Sequence, residues 1–354
     1  MRRRTKPGEV AVFFRRLAPW LLICLLAAAC EGRPRADQLV TIKRTWPVIG
    51  APFSVQIFGA EKAKAEAALR DAQTEIRRME ELANPYAPDS DLSRINDAAG
   101  KQPVTISAEV AAVLALAEKI SASSDGAFDV TFGGVGRLWN LKDANAPLPT
   151  DAQIAAALRL VGYRHLHLDA AAHTAFLDQP GMRVGVAALA PGWLADAVMR
   201  IFRRHGVNNA IVDASGDMLV IGSKNGEPWR IGIQHPRLPE GRNYAVLEIY
   251  GDLAVATSGD YERYVIKNGV RYCHIFDPHT GRPAALCQSA TIVGPNAALA
   301  DALATTVFVL GPEKGLAMLA QYFPQCDALV IDAAGHEHTS PQFIARTKMR
   351  RLAN

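Results

Sequence analysis

Apolar and polar residues alternate along Phe53-Ser-Val-Gln-Ile-Phe58, the period of a half-buried strand. From Glu61 to Leu82 the period lengthens. Ala65, Ala68, Leu69, Ala72, Ile76, Met79 and Leu82 return every three or four residues, as on an amphipathic helix. The turn-rich stretch Asn84-Pro-Tyr-Ala-Pro-Asp-Ser-Asp91 follows. A second helix is predicted over about Ala108–Ser123, stopping at Asp125-Gly126, and a third near 151–160 behind a Thr150/Gln153 capping box. The next should open near Pro191, since proline is tolerated at a helix's first position, and run through Trp193, Ala197, Ile201 and Phe202.

Beyond residue 209 the pattern changes to short β runs: Ala210–Val212, Met218–Ile221, Trp229–Gln234, Ala245–Tyr250, Leu253–Thr257, His274–Phe276 and Ser289–Val293. Helices return at Ala297–Val309 and Pro312–Gln321, before a last strand at Ala328–Ile331. Helices lead, β runs dominate the second half, and no strand–helix–strand alternation persists. This predicts an α+β fold, with mixed or antiparallel sheets and flanking helices, over a doubly wound one. The basic tail Thr347–Asn354 is expected to fray.

Composition narrows the class. A chain of 354 residues that is 49% hydrophobic and 21% charged is globular, and five cysteines are too few for a disulfide scaffold. The net charge of +4 is concentrated at the start: residues 1–29 hold six Arg/Lys and one acid, leaving the body near neutral. Such a body is not a nucleic-acid binder, because neutralising phosphates takes a concentrated basic surface. The Arg-rich start and the apolar run Leu17–Ala29, too short for a span, predict a secretory signal over 1–29. Leu26-Ala-Ala-Ala-Cys30 resembles a bacterial lipobox, in which Cys30 is lipidated and anchors the protein on the periplasmic side of a membrane. The same residues also read as an Ala-x-Ala cleavage site, and Arg15-Arg16 as a twin-arginine pair. Cys273, Cys287 and Cys326 read as buried thiols in preference to a Cys273–Cys287 bridge.

Familiar catalytic signatures are missing. There is no P-loop, no Gly-x-Ser-x-Gly elbow and no His-Glu-x-x-His, and Gly133-Gly-Val-Gly136 is too short for a dinucleotide fingerprint. His336-Glu337-His338 reads as a solvated turn before it reads as a chelate. Three denser constellations remain. Ala256-Thr-Ser258-Gly259-Asp260-Tyr261 ends a strand in hydroxyls and a glycine, so its N–H groups can approach a phosphate oxygen closely. His274-Ile-Phe-Asp277-Pro-His-Thr-Gly-Arg-Pro283 offers an imidazole and then a turn carrying a carboxylate. Asp301 and Thr305 lie at i and i+4 of an apolar helix, where two oxygens on one edge suit a hard cation. Each has a plainer reading: an ordinary turn, a structural histidine, a core threonine. Their order within some fifty residues favours a site.

That order resembles the ApbE family, the FAD:protein FMN transferases of bacterial envelopes. Residues 256–261, 274–283 and 300–305 match its A-T-S-G-x-Y, H-I-x-D-P-x-T-G-x-P and A-D-x-x-A/S-T segments. Upstream, Tyr86-Ala-Pro-Asp-Ser-Asp-Leu-Ser-Arg-Ile-Asn96, Asp125-Gly-Ala-Phe-Asp129 with Thr131, Leu138 and Trp139, and Ala214-Ser-Gly-Asp217 are similar to three further motifs. The resemblance covers about residues 48–332 and leaves 333–354 as a tail. It implies a flavin-binding α+β fold and Mg²⁺-dependent transfer of FMN from FAD to a threonine of an acceptor protein, an envelope redox protein. The implied roles are His274 as base, and Asp301, Thr305 and the Ala190 carbonyl as metal ligands. Tyr86, Ala190, Trp193, Asp196, Ser258, Gly259, Tyr261 and Asp277 are implied contacts to the dinucleotide. A flavin carrier without turnover, an FAD pyrophosphatase and a purely structural lipoprotein are the alternatives.

One segment departs from the family pattern. Where the family has D-L-G-G-I-A-K-G-Y, this chain has Gly185-Val-Ala187-Ala188-Leu-Ala190-Pro191-Gly192-Trp193. The lysine becomes Pro191 and two glycines gain methyls, which predicts altered FAD binding. Asp213 and Ser215 also replace the usual Asn and Gly.

Overall fold

Alternation along the β runs builds one large sheet buried on both faces. The computed structural model describes residues 39–352 apart from residue 144, so the predicted signal and Cys30 lie outside the described residues. Eight strands stand in the spatial order β1 (Leu39–Val48), β2 (Ala51–Glu61), β6 (Ala210–Ala214), β7 (Asp217–Ile221), β10 (Leu253–Gly259), β15 (Cys287–Gly294), β16 (Asp327–Asp332) and β17 (Glu337–Thr339). From β2 to β17 every neighbouring pair is antiparallel. Two three-stranded sheets have the orders β3 (Val104–Thr105), β5 (Thr174–Leu177), β4 (Leu166–Asp169) and β18 (Arg350–Arg351), β9 (Asn243–Ile249), β8 (Trp229–Gln234). Two hairpins complete the strands: β11 (Tyr264–Lys267) with β12 (Val270–Cys273), and β13 (Phe276–Asp277) with β14 (Arg282–Pro283).

The helices are α1 (Lys62–Ala83), α2 (Asp91–Asp97), α3 (Ala108–Ser123), α4 (Gly133–Gly136), α5 (Asp151–Leu158), α6 (Ala190–Arg204), α7 (Ala297–Tyr322) and α8 (Phe343–Thr347). α1 buries Ala65, Ala68, Leu69, Ala72, Ile76 and Met79, the stripe expected from its spacing. Both bonds of the Thr150/Gln153 capping box are present. α7 packs on β10, β15 and β16, and α6 packs between α1 and α7. Gly311, at φ 79°, breaks α7 just before Pro312, so the two predicted helices are two arms of one kinked element.

Strand alternation divides the core. Ala254 and Ala256 of β10, Ala290 and Ile292 of β15, and Ala328 and Val330 of β16 join the helix-side cluster. Their neighbours Leu253, Val255, Val293, Leu329 and Ile331 join Trp229, Ile231, Leu247, Ile249 and Phe343 in a second cluster beneath β8 and β9. Every residue of β15 is buried, as befits a central strand covered on both sides.

Several expectations change. His274 and Ile275 lie between β12 and β13 and not on a strand; a short apolar run beside a Pro/Gly turn cannot be told from a strand by periodicity alone. The tail does not fray over 347–352. Thr347 is fully buried, β18 pairs with β9, and Leu352 N–H donates to the Tyr244 carbonyl (3.0 Å). Its arginines face water while its backbone completes a sheet edge, a pairing that charge pattern does not reveal. The β3–β5–β4 sheet and β1 have no counterpart in the predicted elements, because two- to four-residue strands are too short to display a period and β1 is mostly exposed. Cys273, Cys287 and Cys326 are free and buried, as expected.

Candidate active site

The site is built where α6 and α7 begin. Asn296 caps α7 by accepting from Leu299 N–H (3.0 Å), and Asp196 of α6 accepts from the N–H groups of Ala297 (2.8 Å) and Ala298 (3.0 Å). A carboxylate at a helix N-terminus satisfies orphan donors and complements the dipole. Gly192 lets the helices meet: a Cβ there would come within 2.3 Å of the Ala297 carbonyl oxygen. Its N–H donates to Asp301 Oδ2 (3.1 Å), which orients that buried carboxyl. One turn on, Thr305 Oγ1 lies 3.2 Å from Ser258 Oγ at the end of β10.

A fourth oxygen-bearing side chain joins them. In the β7–β10 register Val255 pairs with Met218, which sets Asp217 level with Ala256, on the same sheet side as Ser258. Thr257 N–H donates to Asp217 Oδ1 (3.3 Å). In the sequence Asp217 closes the Ala214-Ser-Gly-Asp217 motif with no role assigned; the available signal is a carboxylate opening the apolar run Met218–Ile221.

The electrostatics of this pocket are one-sided. Burial raises the Asp301 pKa well above the ordinary carboxylate value, and Asp217 raises it further, against the lowering hydrogen bond from Gly192. Asp217 keeps some surface, but desolvation of its carboxyl pushes it up to about 7, with Asp213 and Glu262 adding to the rise. Among the described residues, the charges that shift either group are other carboxylates. Carboxylates and hydroxyls held together without a countercharge form a hard-oxygen donor set that fits a divalent cation such as Mg²⁺.

The other predicted residues fall nearby or into structural work. His274 follows β12 and is anchored by its backbone, whose N–H donates to the Arg263 carbonyl (3.0 Å). The residue keeps exposed surface, yet crowding of the ring and then the Arg263 charge lower its pKa to about 4, so the imidazole is neutral at neutral pH. Among the described residues no hydrogen bond joins His274 to Asp301, Thr305 or Ser258. Tyr261 tucks beneath Gly259, where a Cβ would lie 2.4 Å from its ring, and burial raises its hydroxyl pKa. Next to it, Asp260 receives a bidentate pair from Arg237 (2.7 and 2.8 Å) that clamps the turn. Asp277 accepts from His279 N–H (2.9 Å) and Thr280 Oγ1 (3.0 Å) and so organises its own turn. Tyr86 is 77% exposed beneath the Arg137 guanidinium, which lies 5.6 Å from its ring centre. Trp193 is only 7% exposed. With Asp196 it lines a cavity of about 380 Å³ beside α3, and Asp301, Thr305 and Ser258 are not among that cavity's walls. Ala190 is buried as the first residue of α6, two before Gly192.

The sequence motifs also bind one another. Asn96 pairs with both backbone groups of Val184 (2.6 and 3.1 Å), Trp139 Nε1 donates to the Gly281 carbonyl (3.0 Å), and His279 Nε2 meets the Asp125 carbonyl (2.8 Å). Segments some 90 to 150 residues apart thus converge on one region. A family model, that of the ApbE family, matches residues 49–330. The chain belongs to the ApbE family.

Comparison with individual ApbE proteins extends this over most of the chain. An FAD:protein FMN transferase of Treponema pallidum is 35% identical over 329 residues, 88% of this chain and 90% of the relative. One from Vibrio cholerae is 33% identical over 328 residues, 90% of this chain and 95% of the relative. The solved structure of the flavin transferase ApbE from Vibrio cholerae superposes with a TM-score of 0.77 at 28% identity, covering 87% of this chain and 99% of that one. The segment that departs from the ApbE pattern is held by its own backbone bonds. Gly185 N–H donates to the Val130 carbonyl (2.8 Å), and Ala187 and Ala188 are exposed, so their methyls crowd no core. Pro191 sits in the first turn of α6, where its missing N–H costs no helix bond.

Proposed function

We propose that this chain transfers FMN from FAD to a threonine hydroxyl of an acceptor protein. Family membership supports the reaction, and one observation carries the assignment of the site: Asp301, oriented by the Gly192 N–H, stands one turn from Thr305, which is bonded to Ser258. A magnesium ion held by Asp301, Thr305 and the Ala190 carbonyl would offset charge on the pyrophosphate of FAD.

The protein's own groups do the positioning. The Ser258–Gly259 end of β10, followed by the Asp260 that Arg237 clamps, would face the phosphates at the strand's edge. The threonine oxygen attacks the FMN-side phosphorus in line, its bond to the AMP phosphate oxygen breaks, and AMP leaves. His274, neutral at working pH, accepts the threonine proton. Tyr86, 77% exposed, would offer its ring to an aromatic ring of the dinucleotide. The product is a phosphodiester-linked flavoprotein.

The same reading places the protein on the periplasmic side of a bacterial membrane, anchored through Cys30, with an envelope redox protein as acceptor. Incubation with FAD, Mg²⁺ and an extract of the native organism, followed by in-gel flavin fluorescence, should reveal a covalently labelled band. Free FMN and AMP with no band would assign pyrophosphatase activity instead. FAD retained without either product, the outcome that loss of the lysine at Pro191 favours, would assign a carrier.

A further inference from the structure

Two carboxyls lie close enough for Asp217 to act on Asp301, and among the described residues no positive charge is a cause of either shift. Asp301 is buried and Asp217 half-buried; Asp217 and Asp196 act on Asp301, and Asp213 and Glu262 act on Asp217. Two ionised carboxylates in a desolvated site repel strongly, and one divalent cation neutralises both.

The geometry supports that solution. The sheet register puts Asp217 beside Ala256 on the helix-facing side, and Ser258, two residues further along the same side, reaches Thr305. Asp301 lies one turn before Thr305 on α7, and the Gly192 N–H turns its carboxyl. The Thr257 N–H does the same for Asp217 from the strand. One carboxyl therefore approaches from the helix and the other from the sheet.

We infer that Asp217 is a further ligand of the divalent cation, holding it from β7 while Asp301 and Thr305 hold it from α7. The inference rests on the reading of Asp301 and Thr305 as the cation site. Six oxygen donors satisfy such an ion, and a ligand from the sheet ties α7 to β7 through it. Ion binding then also stabilises the fold by mass action.

Mn²⁺ is the probe, because its paramagnetic resonance signal counts free ions without FAD or acceptor. The full-length protein should bind it, and its unfolding midpoint should rise as Mn²⁺ is added. Asp217→Asn keeps the size and the acceptor for Thr257 N–H; it should weaken Mn²⁺ affinity roughly ten- to hundredfold and shrink the rise in midpoint. Asp301→Asn should abolish both responses. Asp217→Glu, which returns the charge one methylene further out, should recover part of the affinity, and it replaces the asparagine variant if that one does not fold. Affinity within twofold of wild type in both Asp217 variants, with Asp301→Asn silent, would overturn the role of Asp217 alone. Undiminished binding in Asp301→Asn would instead overturn the cation site itself.

Discussion

The two faces of the large sheet are made by the same strands and do opposite work. On one side Leu253, Val255, Leu329 and Ile331 meet Trp229, Leu247 and Phe343 in an apolar cluster. On the other, Ala254 and Ala256 keep α7 close, and the next outward positions at the strand ends become Ser258 and Asp217. The contrast shows how a stable platform and a polar site coexist. Period-2 alternation sends bulky apolar groups to one face, while small residues on the other let helices carry oxygens down to the strand ends.

Breaking the polar face should have the largest effect. Asp301→Ala should abolish FMN transfer even in excess Mg²⁺, read as loss of the fluorescent acceptor band; full labelling would remove Asp301 from the site. His274→Ala should slow transfer roughly 10²–10⁴-fold, and a loss below threefold would mean that another group takes the proton. The dry face should respond in stability and not in chemistry. Phe343→Ala should cost about 3–5 kcal/mol in urea unfolding, with labelling per folded molecule retained. If labelling fell with it, the two faces would not be separable.

Acid should act on the polar face through His274. Its pKa is lowered in the folded protein, so transfer should persist below the ordinary histidine value of about 6.5 and decline only as pH falls toward about 4. The unfolded chain binds that proton more readily, so the same window carries a loss of stability on acidification. In saturating Mg²⁺, which holds Asp301 and Asp217 ionised, an acid limb at or above the ordinary value would place the base elsewhere. The smallest effect belongs to the rim of the dry face. The half-exposed Arg351 pairs with Glu337 (Nε to Oε2, 2.8 Å), and Arg351→Ala should cost less than about 1 kcal/mol by thermal unfolding.

Much of this was legible in the chain. Helices α1, α3, α5, α6 and α7 were predictable because each carries its own local signal: an apolar stripe, the Asp125-Gly126 stop, the Thr150/Gln153 box, Pro191 in the first turn, Pro312 opening the second arm. The Asp301/Thr305 pair was legible for the same reason, since helical spacing puts both on one edge. His274 was visible as a chemical group but misplaced onto a strand.

What escaped the sequence depends on partners distant along the chain. Trp193 read equally as a ring for the dinucleotide or as core, and packing buries it largely in the core beside a cavity. Asp196 looked like a ligand contact, and its carboxyl bonds to the first turn of α7. Asp217 looked like a turn residue, and pairing of β7 with β10 set it beside Ser258. The amino-acid order alone determined the elements, the apolar faces and the reactive groups, because these follow from intervals of two to four residues. Only the tertiary structure decided which carboxyls share a pocket, because burial and charge depend on atoms brought together from far along the chain, and no local interval records that.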